Sequence, residues 1–209
     1  MILDAIIKST CSLEMYRMGR YKETYTNLYH GTTEDAANCI VSSQKFLPSS
    51  DDNWCGAGIY FYDIKSKALW AAKRKCLEQQ ELSGIKHKHT YVNADIVDLD
   101  KELILDLRTY SDVQQFANFV DRILAEGDFN IAGDLDSTEM QIKKRAILIS
   151  FYAQQCGKKL IIGHFRQVEN PKFVDVQAAA ERLQLVVGVE TIYCVKDSCI
   201  ISNIRGAKV

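Results

Sequence analysis

The chain is poor in the residues that mark linkers and covalent cross-links. Its 209 residues contain two prolines and no Ser/Gly-rich tract or internal repeat, which argues against a second domain. Its seven cysteines are an odd number without a C-x-x-C pair, and this predicts free thiols in a reducing compartment rather than disulfides. With 47% hydrophobic residues the chain can bury one substantial core. We predict one domain over residues 1–209. Whether residues 1–26 form a separate helical appendage at its N-terminus is an open alternative.

A net charge of one sign and long apolar runs are also missing. The formal net charge of −1 at pH 7 gives no general attraction to nucleic acid or to an anionic membrane. Asp4 and Lys8 interrupt the apolar N-terminal stretch, so it does not fit a signal peptide or a membrane span. His87 and His89 form a His-X-His without further ligands at suitable spacing. We therefore expect a cytoplasmic protein with no metal site and no membrane partner.

The order of strand and helix patterns indicates an α+β fold. Strands and helices do not alternate regularly, and this favours antiparallel sheets over a doubly wound parallel sheet. The helix after residue 63 is expected to be capped by Ser66 and to end at Gly84. Strand patterns occupy residues 27–30, 59–62, 91–97, 103–107, 159–165, 185–195 and 199–204, and helical patterns residues 33–41, 64–82, 113–124, 136–157 and 176–183.

Two short segments carry the chemical signal. In the first, an extended run ends at Gly31, which places His30 at a strand end, and Thr32 or Thr33 can cap the next helix. In the second, glycines at 56 and 58 allow positive φ or the close approach of a ligand. The run 59–62 that follows, Ile-Tyr-Phe-Tyr, favours a strand with Tyr60 on one face.

Together these segments resemble the ADP-ribosyltransferase superfamily of the diphtheria-toxin and poly(ADP-ribose) polymerase (His-Tyr-Glu) type. The family signatures are His-Gly-Ser/Thr and Gly-X-Gly-Ile-Tyr-Phe-X-Asp, followed by Ser-Lys. This chain has His30-Gly31-Thr32, then the run from Gly56 to Asp63, and then Ser66-Lys67. The resemblance covers residues 29–70. It implies a split antiparallel β-sandwich with flanking helices around an NAD cleft, with NAD as co-substrate and no metal.

The resemblance also implies roles for individual residues. His30 would donate to the adenosine-side ribose, Tyr60 would stack on nicotinamide, and Gly31 would offer backbone groups to the carboxamide. Trp70 lies one place short of a further family aromatic, and Ala68 stands where many members have Ser. The implied cofactor-binding set is His30, Gly31, Thr32, Gly58, Tyr60 and Trp70, and the implied catalytic set is His30, Tyr60 and Glu190.

The third family element is a glutamate on a strand near the C-terminus. Glu190 is the chosen residue, but pairing Tyr193 and Val195 with the family's Glu-Tyr-X-Val places Ile192 at the catalytic position. Glu190 and Ile192 share one face of a strand, so both lie on the cleft side or neither does. Isoleucine at this position is known in family members that transfer a single ADP-ribose or are inactive.

The family reaction cleaves the bond between nicotinamide and ribose and passes the ribose to a nucleophile. The resemblance therefore implies a mono-ADP-ribosyltransferase acting on protein or nucleic acid. The short length of the chain is typical of a bacterial toxin or phage-defence effector with a cognate antitoxin. The alternative is a weak or inactive module of the same fold that binds NAD, ADP-ribose or a partner. His164, Arg166 and Gln167 form a polar cluster that could contact a target or the NAD phosphates, and plain surface residues are the default interpretation.

Overall fold

The computed structural model describes residues 21–51, 53–126, 138–166 and 189–207. The expected helix over residues 176–183 lies outside these ranges. Within them the chain forms seven strands, four α-helices and two short 3₁₀ helices. The strands are β1 (Lys22–Thr33), β2 (Ile59–Tyr62), β3 (His89–Asp100), β4 (Ile104–Asp106), β5 (Leu160–Arg166), β6 (Val189–Val195) and β7 (Ile201–Gly206), and the helices are α1 (Glu34–Ser43), α2 (Lys65–Ser83), α3 (Tyr110–Glu126) and α4 (Thr138–Gln155).

The described strands form one sheet in the order β4-β5-β6-β2-β1-β3-β7. Neighbouring strands pair antiparallel except β4 and β5, which are parallel. The predicted α+β class is therefore confirmed. The short parallel pair was not foreseen, and it follows from the long connection through α3 and α4 that returns the chain beside β4.

The centre of the sheet is narrow, because β1 and β2 share a single register pair, Tyr29 opposite Tyr62. By contrast, β1 pairs with β3 from Lys22 to Thr33, and β2 pairs with β6 along its whole length. The sheet thus consists of a β1-β3-β7 part and a β2-β6-β5-β4 part that meet at one point. The family resemblance implies two packed sheets, whereas the described residues form this single sheet with a narrow junction.

Residues 22–26, included by sequence in a helical appendage, instead begin β1. Lys22 lies opposite Asp100 and Tyr25 lies opposite Ile96 on β3. The segment Lys-Glu-Thr-Tyr-Thr contains two Thr and one Tyr, residues that favour strands, and its side chains alternate between exposed and half-buried along the strand. The remainder of the proposed appendage, residues 1–20, lies outside the described residues.

Two apolar cores cover the two faces of the sheet. One face packs against α1 and Phe46, and it includes Leu28 and Phe61. The other packs against α3 and α4, and it includes Ile161 and Cys194. Helix α2 lies on this second face as well, because the carbonyl of Ala68 approaches the Cα of Gly31 so closely that a Cβ there would clash. The second face is called the α4 face below.

Local capping agrees with the sequence at two of three helix ends. Thr33 caps α1, its hydroxyl oxygen accepting from the amide of Ala36 at 3.2 Å. Helix α2 ends at Gly84 in the left-handed conformation, as predicted, but it begins after Ile64 without a side-chain cap instead of being capped by Ser66. In the described ranges, no helix combines the length and the apolar composition needed to cross a membrane.

Candidate functional site

His30 lies where β1 separates from β2. Its Nδ1 is 2.9 Å from the carbonyl oxygen of Tyr60. Its ring makes an edge contact with Phe46 at a centroid distance of 5.2 Å and a tilted contact with Phe61 at 5.7 Å. Burial lowers the pKa of His30 to about 4, so the imidazole is neutral at pH 7. Because a carbonyl only accepts, Nδ1 carries the proton and Nε2 is left as an acceptor.

This tautomer changes the role that the family resemblance implies for His30. A neutral imidazole has one N–H, and that N–H is committed to the Tyr60 carbonyl. The ring can therefore accept a hydrogen bond from a ribose hydroxyl through Nε2, but it cannot donate one while it remains neutral.

Tyr60 projects to the opposite face of the sheet from His30. It lies opposite Cys194 on β6, on the α4 face, where it packs against the second core. Its hydroxyl accepts from the amide of Cys55 at 2.9 Å and donates to the carbonyl of Gly56, and burial raises the pKa of the phenol. Since both functions of the hydroxyl are used by the loop before β2, a ligand can contact only the ring.

The loop before β2 is fixed by several further hydrogen bonds. The ammonium of Lys196 donates to the carbonyls of Cys55 and Ala57, both at 2.6 Å, and the hydroxyl of Ser150 donates to Cys55 at 3.0 Å. Gly56 has a φ of 75°, as the sequence allowed. A Cβ on Gly58 would lie 2.5 Å from the Sγ of Cys194, so this glycine is required by packing against β6.

Glu190 is buried on the α4 face and forms an ion pair with a residue of α2. Its side chain is 4% exposed, and its Oε1 lies 2.9 Å from the Nζ of Lys67, which is 34% exposed. Glu190 stands opposite Phe165 on β5. Lys67 belongs to the Ser66-Lys67 pair that follows the second motif, so two segments far apart in sequence meet here.

The pairing register between β2 and β6 determines which residues of β6 share a face with Tyr60. Tyr60 is directly opposite Cys194, and Tyr62 is opposite Ile192, so Glu190, Ile192 and Cys194 share the α4 face with Tyr60. At about 3.3 Å per residue, Glu190 lies ~13 Å along β6 from the level of Tyr60. Ile192, 1% exposed, lies between the two levels.

The remaining predicted residues lie in different surroundings. Gly31 and Ala68 are in direct apposition, so the position where many family members have Ser borders the predicted carboxamide site. Thr32 is buried and shares the face of His30. Trp70 is 40% exposed and stacks on the guanidinium of Arg74, 5.1 Å from the ring centroid. Two residues make about 200° around a helix, so Trp70 projects away from Ala68.

Sequence reasoning missed Arg145 on α4. Its Cζ lies 5.1 Å from the ring centroids of both Trp54 and Phe165. Its Nε and Nη2 are buried, and no acceptor in the described part of the chain lies within hydrogen-bonding distance of either. The available signal was an arginine three residues after Ile142 and four before Ile149, within a stripe assigned to the core.

Comparisons with known proteins add one relative. No family model matches the chain, and no solved structure matches it. The chain is similar to "Uncharacterized protein MJ0359" of Methanocaldococcus jannaschii, with 54% identity over a match that covers 35% of this chain and 48% of that protein. The match thus spans about half the length of the archaeal relative, and the relative's name states no activity.

Proposed function

We propose that the protein is an NAD-dependent mono-ADP-ribosyltransferase with an ADP-ribosyltransferase-like split sheet. The observation that carries the proposal is the ion pair between Lys67 and Glu190. It joins the end of the second motif to the carboxylate chosen on β6. The strand order β6-β2-β1 supports the proposal further, since it makes neighbours of the three strands that carry Glu190, Tyr60 and His30.

The ligand would lie along the junction between β1 and β2. His30 and Tyr60 project to opposite faces, so one molecule can contact both only where the two strands have separated beyond Tyr29 and Tyr62. There, Nε2 of His30 would accept from a ribose hydroxyl, and the ring of Tyr60 would border the nicotinamide. Gly31 lies at the same opening, and its backbone is the proposed partner of the carboxamide.

The reaction does not need a strong acid to protonate the leaving group. The nicotinamide ring is cationic in NAD and becomes neutral when it departs. The site must instead stabilise the oxocarbenium-like ribose that remains. An ionised carboxylate does this, and in this protein the Glu190 carboxylate is buried and held in an ion pair by the ammonium of Lys67. An acceptor nucleophile on protein or nucleic acid then captures the ribose. A cytoplasmic toxin or defence effector, countered by an antitoxin, is the biological role that we propose.

A second candidate is a non-catalytic module that binds NAD or ADP-ribose. Ile192 favours it, because this apolar residue is nearer to the level of Tyr60 than Glu190 is. If Ile192 occupies the working position, the site retains a nucleotide cleft but lacks a carboxylate beside the reacting ribose.

The two candidates differ in nicotinamide release. The full chain is incubated with labelled NAD and separate pools of protein, RNA and DNA, and free nicotinamide and labelled acceptor are measured. Glu190→Gln keeps the shape of the side chain but removes its charge, so we expect turnover to fall about 100-fold or more, with NAD affinity changed less than tenfold. Glu81→Gln, an exposed position on α2, is the matched control and should behave as the parent protein.

The outcomes separate the hypotheses. Label transfer that depends on Glu190 supports the transferase. NAD binding by calorimetry without nicotinamide release from any pool supports the binding module. A folded protein that neither binds NAD nor releases nicotinamide refutes both.

A further inference from the structure

Arg108 and Arg145 differ in whether Nε and Nη2 of the guanidinium have hydrogen-bond acceptors. Nε and Nη2 of Arg108 donate to the two carboxylate oxygens of Asp106, each at 2.8 Å, which is the bidentate geometry that arginine prefers. In Arg145 the same two nitrogens are buried, and the described residues offer them no acceptor. Nε and Nη2 of Arg145, called the Arg145 fork below, therefore have the geometry to bind two oxygens of one anion, and no acceptor among the described residues occupies them.

The surroundings hold this fork in a defined position. The rings of Trp54 and Phe165 lie 5.5 Å apart, and the guanidinium contacts both. Cation–π contacts of this kind orient the charge but accept none of its N–H groups. Burial lowers the pKa of Arg145, as expected where no carboxylate compensates the charge. The residue as a whole is partly exposed, but Nε and Nη2 are themselves buried, so a bound anion must displace the groups that cover them.

Arg145 also lies beside the site proposed for NAD. It faces the loop at Cys55, whose amide is held by the hydroxyl of Tyr60, and its partner ring on Phe165 stands opposite Glu190. The side chains of Arg145, Tyr60, Phe165 and Glu190 all lie on the α4 face. The position is thus continuous with the groups that would contact nicotinamide and ribose.

We propose that Arg145 binds a phosphate-type oxyanion of the substrate, taking two of its oxygens on Nε and Nη2. This rests on the proposed function for its position in the reaction, since the phosphate belongs either to the diphosphate of NAD or to the acceptor. A bidentate, charge-assisted contact supplies both affinity and orientation. It would fix the phosphorylated part of the ligand while the ribose is exposed to the acceptor.

The test measures binding of inorganic pyrophosphate, NAD and phosphate-free nicotinamide riboside by calorimetry. Arg145→Met removes the charge and keeps the apolar stem between the rings, whereas Arg145→Lys keeps the charge but lacks the fork. We expect pyrophosphate affinity to fall at least tenfold in both variants and nicotinamide riboside affinity to stay the same. Arg122→Met is the control, since Arg122 also lies over a ring, that of Phe119 at 5.6 Å, but on the exposed side of α3.

The NAD measurements identify the source of the phosphate. A tenfold loss for NAD as well as pyrophosphate assigns the fork to the NAD diphosphate, and a loss for pyrophosphate alone assigns it to the acceptor. Pyrophosphate that fails to bind the parent protein, or that binds Arg145→Met equally well, overturns the inference even where NAD binding and turnover stand. A protein that binds pyrophosphate through Arg145 but never binds NAD keeps the oxyanion site and contradicts the proposed function.

Thermal stability distinguishes a binding role for Arg145 from a purely structural one. The next two results are those expected for a binding role. Without ligand, the melting temperature of Arg145→Met should equal or exceed that of the parent, because the variant no longer buries unpaired N–H groups. Pyrophosphate should then raise the melting temperature of the parent protein alone. A large drop in the melting temperature of both variants without ligand, with no response to pyrophosphate in the parent, would contradict a binding role.

Discussion

The imidazole of His30 is held neutral by its surroundings, and this makes the stability of the protein depend on pH. Burial lowers its pKa to about 4 from an ordinary value of 6.5. Between these values the unfolded chain binds a proton that the folded protein does not. Stability is therefore fully present above pH 6.5 and is lost as the pH falls toward 4, by up to about 3 kcal/mol. Partial exposure of the residue reduces this amount.

The variant His30→Asn tests this dependence, because its amide can still donate to the Tyr60 carbonyl but does not titrate. We expect the free energy of unfolding of the parent protein to decrease more steeply than that of the variant between pH 6.5 and 4, as measured by urea denaturation. Gln115→Asn, at an exposed position on α3, neither adds nor removes a titrating group and should keep the slope of the parent. Equal slopes for the parent and His30→Asn would show that His30 is protonated in the folded protein.

At the scale of elements, the packing of α4 against the loop before β2 positions Tyr60. Gly56 has a φ of 75° and Gly84 a φ of 72°, so alanine is strained by about 1 kcal/mol at both. Only at Gly56 would the new Cβ also collide with Ser150, whereas nothing lies within 4 Å at Gly84. We expect Gly56→Ala to lower the free energy of unfolding by about 2–4 kcal/mol and Gly84→Ala by about 1 kcal/mol.

A double-mutant cycle locates the cause of this difference. In a Ser150→Ala background the collision with Oγ is removed, so Gly56→Ala should become less costly while the cost of Gly84→Ala stays constant. If Gly56→Ala and Gly84→Ala lowered the free energy of unfolding of the parent protein equally, the loop would be able to move away from α4 without destabilising the protein.

At the scale of the whole molecule, the sequence predicts elements better than it predicts how their faces meet. The strands at His30 and Tyr60 and the helix ending at Gly84 follow from β-propensity, helical spacing and a glycine C-cap. Local patterns do not specify register, and register decides that Cys194 lies opposite Tyr60 while Glu190 lies farther along β6.

The candidate site illustrates the same limit at single residues. The face shared by Glu190 and Ile192 could be predicted from the two-residue period of a strand, and the structure places both on the face of Tyr60. The opposite orientation of His30 depends on which residues of β1 and β2 pair, which no motif encodes. Arg145 was missed because only tertiary contacts distinguish an arginine with a partner from one without.

The single register pair between β1 and β2 should leave a measurable weakness across the centre of the sheet. Amides of β2 that point toward β6 belong to a continuous ladder, whereas those that point toward β1 have a paired strand only near Tyr29 and Tyr62. Since successive amides of a strand point to opposite neighbours, we expect hydrogen exchange along Ile59–Tyr62 to alternate between slow and fast. Residue-resolved exchange by NMR measures this, with the β5–β6 ladder as the protected reference. Uniform protection along β2 would mean that the two parts of the sheet open as one unit. If NAD lies along the junction as proposed, it should slow the fast amides and leave β5–β6 unchanged.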